Sequence, residues 1–75
     1  MTTFDADALV HEHGGRWIVA VCQDGRYFAP LRRARGGVTA VFGPLEYVAD
    51  VAYSYTRRAD AVRRARALYD LEGVT

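Results

Sequence analysis

The segment 16–33 most constrains the fold, because apolar side chains fall on both faces of the hairpin that it predicts. Asp24-Gly25 is a two-residue hairpin signal, since glycine accepts the positive φ of a primed turn. With this turn, cross-strand partners share one face in the pairs Cys22–Tyr27, Ala20–Ala29 and Ile18–Leu31. The opposite face carries Trp17, Val19, Val21 and Phe28. A single helix covers one face, so the other face must be enclosed by curling of the sheet into a small barrel, be covered by loops or bind a partner.

Glycine and proline turn signals divide the rest of the chain at short intervals, with β-branched and aromatic residues between them. These segments predict strands at about 8–13, 16–23, 26–33, 37–42 and 45–55, and a helix at about 57–71. The sequence therefore predicts a single α+β domain over residues 1–75. Its sheet is an antiparallel meander of four to five strands, with the C-terminal helix packed on one face. Which face the helix covers stays open.

Residues 45–55 fit two structures. Alternation of apolar and polar residues favours a strand, which we prefer. A helix at 44–52 competes, because Pro44 suits a first helical position and apolar residues recur at helical spacing. After this segment Thr56 is predicted to cap the C-terminal helix, and Gly73 to end it.

Composition excludes several classes of protein. The formal net charge is +1, which argues neither for nor against nucleic acid. The single cysteine, Cys22, rules out an internal disulfide and fits a reducing compartment. No apolar run approaches the length of a membrane span, and the segment MTTFDADAL is acidic where a signal peptide is basic. These features predict a cytoplasmic protein that does not enter a membrane.

Candidate catalytic and metal-binding residues do not form a complete set. His11 and His13 share one face of a strand, but a metal site needs a third ligand, and Cys22 is the one thiol. Cys22 as a nucleophile lacks a matching base and oxyanion hole. No glycine loop with the spacing of a phosphate-binding motif is present. We therefore expect no enzyme activity, no cofactor and no metal.

Eight of the ten arginines fall in two clusters, and the chain has no lysine. On the predicted helix, Asp60 can pair with Arg63 or Arg64, and Asp70 with Arg66, so most of this cluster is typical of an exposed helix face. Arg57 and Arg58 lie in the first turn, where the helix dipole disfavours cations. A second cluster lies at a hairpin end and comprises Arg32, Arg33 and Arg35. If the clusters meet at one edge, these five residues can contact phosphates, which predicts nucleic-acid binding as the alternative function.

The leading hypothesis is a non-catalytic module that binds a protein partner, or forms a homodimer, through the sheet face that the helix leaves uncovered. Aromatic side chains anchor protein interfaces, and the candidates here are Trp17, Tyr47, Tyr53 and Tyr55. Arg57, Arg58 and Arg63 are candidates for orienting the partner.

Two segments carry resemblances to known families. Together, VHEHGGRWIVAV and YTRRADAVRRARAL resemble short bacterial and phage proteins of unknown function with a Gly-Trp hairpin and a Thr-Arg-x-x-Ala C-terminal helix. Trp17 in a strand, the Asp-Gly turn and the Thr-capped helix are also similar to the arm-type DNA-binding domain of phage integrases and the related AP2 fold, which implies a sheet that enters the major groove. In size the chain resembles phage-encoded anti-CRISPR inhibitors, which implies an inhibitor that docks on a host or defence complex.

Overall fold

A computed structural model describes residues 5–69 of the 75-residue chain. Its elements are a 3-10 helix (Ala6–Leu9), strands β1 (Val10–His13), β2 (Arg16–Val19), β3 (Val21–Gln23), β4 (Arg26–Arg35) and β5 (Val38–Gly43), helix α1 (Leu45–Val51), strand β6 (Ser54–Tyr55) and helix α2 (Arg58–Tyr69). The α+β class is confirmed. The strands form two antiparallel sheets, with orders β1-β2-β6 and β3-β4-β5, and two α-helices pack on them, in place of the predicted single sheet and helix.

Ala20 separates the two sheets. Its N–H donates to the carbonyl of Leu9 at 2.9 Å, and its own carbonyl oxygen lies 3.0 Å from Nε2 of His11. Both backbone groups are therefore taken by the N-terminal segment, and the ladder is interrupted between Val19 and Val21. As a result, the predicted strand 16–23 is two strands in different sheets.

The predicted Asp24-Gly25 turn is confirmed, with φ of 52° and 77° at its two residues. Cys22 pairs with Tyr27, as the turn predicts. The predicted pairing of Ile18 with Leu31 is wrong. Ile18 pairs with His11 on one side and Ser54 on the other, while Leu31 forms a bridge to Ala52.

The predicted strand at 45–55 is wrong over most of its length, because Leu45–Val51 is helix α1. The N–H of Val48 donates to the carbonyl of Pro44 at 3.0 Å, which closes the first turn. Val48 and Ala52, four residues apart and so on one helical face, are both fully buried. This burial of one helical face outweighs the alternation that favoured a strand. Of the predicted strand 45–55, Ser54 and Tyr55 form strand β6.

The C-terminal helix is confirmed as α2, and its predicted last residues and the Gly73 stop lie outside the described residues. It begins at Arg58, and the N–H of Ala61 donates to the carbonyl of Arg57 at 3.3 Å. Arg57 therefore holds the position before the helix that was predicted for Thr56. Neither of the α-helices found between residues 5 and 69 has the length and apolar content to cross a membrane.

Two hydrophobic cores lie on opposite sides of β2. The first is formed with α2 and contains Ala6, Leu9, Val10, Val19, Ala61, Val62 and Ala65. The second is formed with α1 and contains Ile18, Ala20, Ala29, Val48 and Ala52. Both faces of β2 are thus apolar and covered, the second by α1, which forms where a helix was the competing interpretation.

Candidate functional site

The sheet β3-β4-β5 has one face packed on α1 and one open face. Side chains alternate along β4, so Ala29 enters the second core and its neighbour Phe28 lies on the opposite face. Phe28 pairs across the strands with Phe42, and Pro30 pairs with Ala40. Phe28 is 48% exposed and Phe42 is 54% exposed. We refer to these four residues as the aromatic face.

One end of the aromatic face is polar. The guanidinium of Arg26 lies 5.8 Å from the centre of the Phe42 ring, a distance at which cation and ring attract. Arg26 pairs with Gln23 at the hairpin end, and both are exposed. An apolar centre with a polar rim is the arrangement found at protein interfaces.

A separate groove of about 560 Å³ lies between α1 and the far end of the β4–β5 hairpin. Its walls are formed by Leu31, Arg32, Arg33, Arg35, Val38, Val41, Tyr47, Asp50 and Val51, and we refer to it as the arginine groove. Three arginines face one carboxylate there. Within residues 5–69, none of the three takes part in a salt bridge or a side-chain hydrogen bond. The groove opens where the ladder shifts register between Pro30 and Arg35.

The aromatic residues predicted as anchors lie in two places. Trp17, Tyr53 and Tyr55 are half-buried and pack against the first core. The side chain of Arg64 holds two of them, since its guanidinium lies 5.2 Å from the Tyr53 ring centre and its Nε donates to the hydroxyl of Tyr55 at 2.9 Å. Tyr47 is 53% exposed and lines the arginine groove beside the other sheet. These four aromatics therefore do not form one surface.

The predicted orienting arginines are mostly engaged within the chain. Arg58 pairs with Asp7 at 3.0 Å, and its guanidinium lies 5.7 Å from the Trp17 ring centre. Asp7 therefore balances the charge that the helix dipole disfavours at this end of α2. Arg63 lies 3.8 Å from Asp60, as the spacing predicted. Arg57 is exposed.

The two arginine clusters line different grooves. Arg58 and Arg63 line a groove with Asp7 that shares no residue with the arginine groove. The two sets proposed for phosphate contact are thus not brought together in one cleft.

His11 and Cys22 have structural contacts, and His13 pairs with Arg16 at the end of the β1–β2 ladder. His11 faces the Ala20 carbonyl, and its ring meets the edge of Tyr27 with centroids 4.9 Å apart. A hydrogen bond with Cys22 raises the pKa of Tyr27, and burial and the charge of the thiolate raise it further. No group of three or more His, Cys, Asp and Glu residues lies close enough to hold a metal ion within residues 5–69.

Phe42 and the pairing of Phe28 with it were missed at the sequence level. The hairpin placed Phe28 on the face opposite Ala29, and the meander paired 26–33 with 37–42, but the register of that pair was not worked out, so Phe42 had no predicted neighbour. The Gly36-Gly37 turn was the available signal for this register, since it joins the predicted strands 26–33 and 37–42.

Comparison with protein-family models, curated proteins and solved structures finds no match for this chain.

Proposed function

We propose that this chain is a non-catalytic binding module that docks on a protein partner through the aromatic face. The observation that carries the proposal is the cross-strand pair Phe28–Phe42, two aromatic side chains about half exposed on a sheet face that neither helix covers. Fully burying a phenylalanine stabilises an interface by about 1.5–3 kcal/mol, and this pair retains a large part of that area.

The chemistry of the face favours a protein over a small ligand or a polyanion. The face is a strand surface that lies outside the two grooves described above, and Arg26 and Gln23 at its rim supply directional polar contacts. Phenylalanine and arginine are both enriched at the cores of protein interfaces. In its most concrete form the proposal is an inhibitor of the phage or mobile-element type, which acts by covering a surface of a host or defence complex.

The experiment is affinity capture from a lysate of the source organism, with wild type, a Phe28→Ser/Phe42→Ser double variant and a Tyr47→Ser variant. Tyr47 has a similar exposed fraction but lies outside the aromatic face, so it is the matched control. We expect one partner to be captured by wild type and Y47S, and binding by the double variant to be weaker by about thirtyfold or more. Capture of that partner equally by all three folded proteins contradicts the proposal.

Nucleic-acid binding is the second candidate function, and the arginine groove is the observation that favours it. Arg32, Arg33 and Arg35 lie together with the exposed ring of Tyr47, a combination that suits phosphate contact and base stacking. Fluorescence anisotropy with duplex and single-stranded oligonucleotides at low salt tests it. Binding that weakens steeply with salt and is lost in Arg32→Ala/Arg33→Ala, but kept in Arg63→Ala/Arg64→Ala, supports this candidate. No binding at low salt eliminates it.

A further inference from the structure

Strand β5 forms the outer edge of its sheet. Among residues 5–69 its one strand neighbour is β4, and the sheet order is β3-β4-β5. Its sequence, VTAVFG, contains no charged residue and no proline. Natural proteins usually protect an edge strand with charge, proline or a covering segment, because its unpaired backbone groups pair readily with another strand.

The direction of the backbone groups on β5 follows from the β3–β4 turn. Gln23 and Arg26 flank the two-residue turn, so they form a hydrogen-bonded pair, and the two kinds of pair alternate from there. The N–H and C=O of Arg26 and Phe28 therefore point toward β3. Those of Ala29, the next residue along β4, point toward β5. Ala29 pairs with Val41, so the backbone groups of Val41 point back toward β4.

The backbone groups of Ala40 and Phe42 consequently point away from β4, to the open edge. Pro30 fits opposite Ala40 because a residue that lacks an N–H loses no ladder bond in such a pair. Over residues 5–69, no hydrogen bond outside the regular elements satisfies the N–H or C=O of Ala40 or Phe42. The open edge of β5 therefore presents the N–H and C=O groups of Ala40 and Phe42 as donors and acceptors.

We propose that β5 pairs antiparallel with β5 of a second copy of this chain, about a twofold axis through Val41. In this register Ala40 lies opposite Phe42 of the second copy, and Phe42 opposite Ala40. Each pair exchanges both N–H···O bonds, so every outward-pointing group of Ala40 and Phe42 finds a partner. The sheets of the two copies become one continuous sheet.

Charge complementarity favours a second copy as the occupant. An antiparallel partner strand brings the start of each β5 beside the end of the other. The start lies next to the exposed Arg35, and the end is followed by the exposed Glu46 in the first turn of α1. An arginine of one copy and a glutamate of the other thus lie near each end of the shared ladder, with Arg35 one strand in from the edge, and β5 itself brings no charge to the ladder.

The pairing also joins the two aromatic faces. Phe42 lies beside Ala40 of the second copy on the same face, so the two Phe28–Phe42 pairs form one larger apolar surface. The inference does not depend on the proposed function, since self-association is measured on the purified chain without any other protein. A monomer that still captures its partner would refute the pairing and leave the proposed function standing.

The first test is sedimentation equilibrium of the full chain from micromolar concentration up to about 1 mM, where even a Kd near 1 mM is detected. We expect a reversible dimer, and a monomer throughout this range overturns the proposal. Ala40→Pro removes an N–H that β4 does not use, and we expect it to weaken the dimer at least tenfold. Ala40→Ser is the matched control and keeps the dimer. A dimer that persists unchanged in a folded A40P variant assigns the contact to another surface and overturns the proposal.

The second test determines the register of the β5–β5 pair by disulfide cross-linking. It uses a Cys22→Ser background, which removes the native thiol. Val41→Cys places two thiols opposite each other on the axis, in a pair whose backbone groups do not bond across the edge and whose side chains lie close. We expect an interchain disulfide under mild oxidation. Thr39→Cys is the control, because its two copies are separated by about 13 Å along the ladder. Efficient cross-linking by T39C in place of V41C overturns the register.

Discussion

Ile18 and Val19 are adjacent in β2 and are 1% and 0% exposed, yet they lie in different hydrophobic cores. Successive side chains of a strand point to opposite faces, so Val19 meets α2 and Ile18 meets α1. β2 is therefore the layer that both cores share. A domain of this size buries a smaller fraction of its unfolded surface than a larger domain does and is only marginally stable, so losses on either side of β2 are a large part of its stability.

Truncation on either side of β2 should destabilise the fold. We expect Ile18→Ala to lower the free energy of unfolding by about 2–5 kcal/mol, and Val19→Ala by roughly 2 kcal/mol, because each leaves a cavity in a closed core. Val38→Ala is the control, since Val38 is exposed and its loss should change stability by less than about 0.5 kcal/mol. Urea unfolding followed by circular dichroism measures all three. A near-neutral I18A would show that α1 does not form a core.

The two histidines of β1 should differ in their contribution to stability. His11 is the side-chain partner of the carbonyl of Ala20, a fully buried residue at the break between β2 and β3. His11→Ala leaves that carbonyl without this partner and should cost about 1–3 kcal/mol. His13→Ala is the matched control two residues away and should cost less than about 1 kcal/mol. Equal effects on thermal unfolding would contradict a role for His11 at the break.

Arg58 should contribute modestly to stability through two contacts. Its salt bridge with Asp7 is about half exposed, which limits it to about 0.2–1 kcal/mol, and the contact with Trp17 adds about 0.5–1 kcal/mol. Arg58→Ala should change Trp17 fluorescence and lower stability by roughly 1 kcal/mol, less at high salt. Arg63→Ala, which removes a longer pair with Asp60, should leave the fluorescence unchanged. An unchanged spectrum in R58A would refute the contact with Trp17.

Alkaline pH should destabilise the protein through Tyr69. Burial raises the pKa of Tyr69 above its ordinary value of 10.0, and its buried hydroxyl has no hydrogen-bond partner among residues 5–69. Because the folded state holds this proton more tightly, the stabilisation is complete below pH 10 and is lost as pH rises through the raised pKa.

Tyr69→Phe should be neutral or slightly stabilising at pH 7 and should reduce the loss of stability above pH 10. Tyr27→Phe measures the share of the alkaline loss of stability that comes from Tyr27, whose pKa is raised by its contact with Cys22. Urea unfolding between pH 7 and 11 gives both slopes. An unchanged slope in Y69F would contradict the burial of this hydroxyl.

The Asp24-Gly25 turn and its nearest pairs were predictable from sequence, because a two-residue turn fixes the residues that flank it. The two apolar faces of β2 were predictable from its alternating side chains, although the pairing predicted for Ile18 was wrong. The division into two sheets was not predictable, since it depends on the Ala20 backbone bonding to Leu9, a contact that local pattern does not encode. Helix α1 was only the competing interpretation, because Leu45, Val48, Ala49 and Ala52 fit helical spacing while alternation over 45–55 favoured a strand. Burial in the tertiary structure decided between them. Because Leu45–Val51 is a helix, Tyr47 does not lie on the sheet face where the predicted strand placed it.

The aromatic face as docking surface is tested most directly by site-specific photo-cross-linking in cells of the source organism. A photoreactive phenylalanine analogue replaces Phe42 in one variant and Tyr47 in another, and the cross-linked species are identified by mass spectrometry. We predict a cross-link from position 42 to one protein other than the chain itself, and no such product from position 47. A cross-link to that protein from position 47 and none from position 42 would contradict the proposed function.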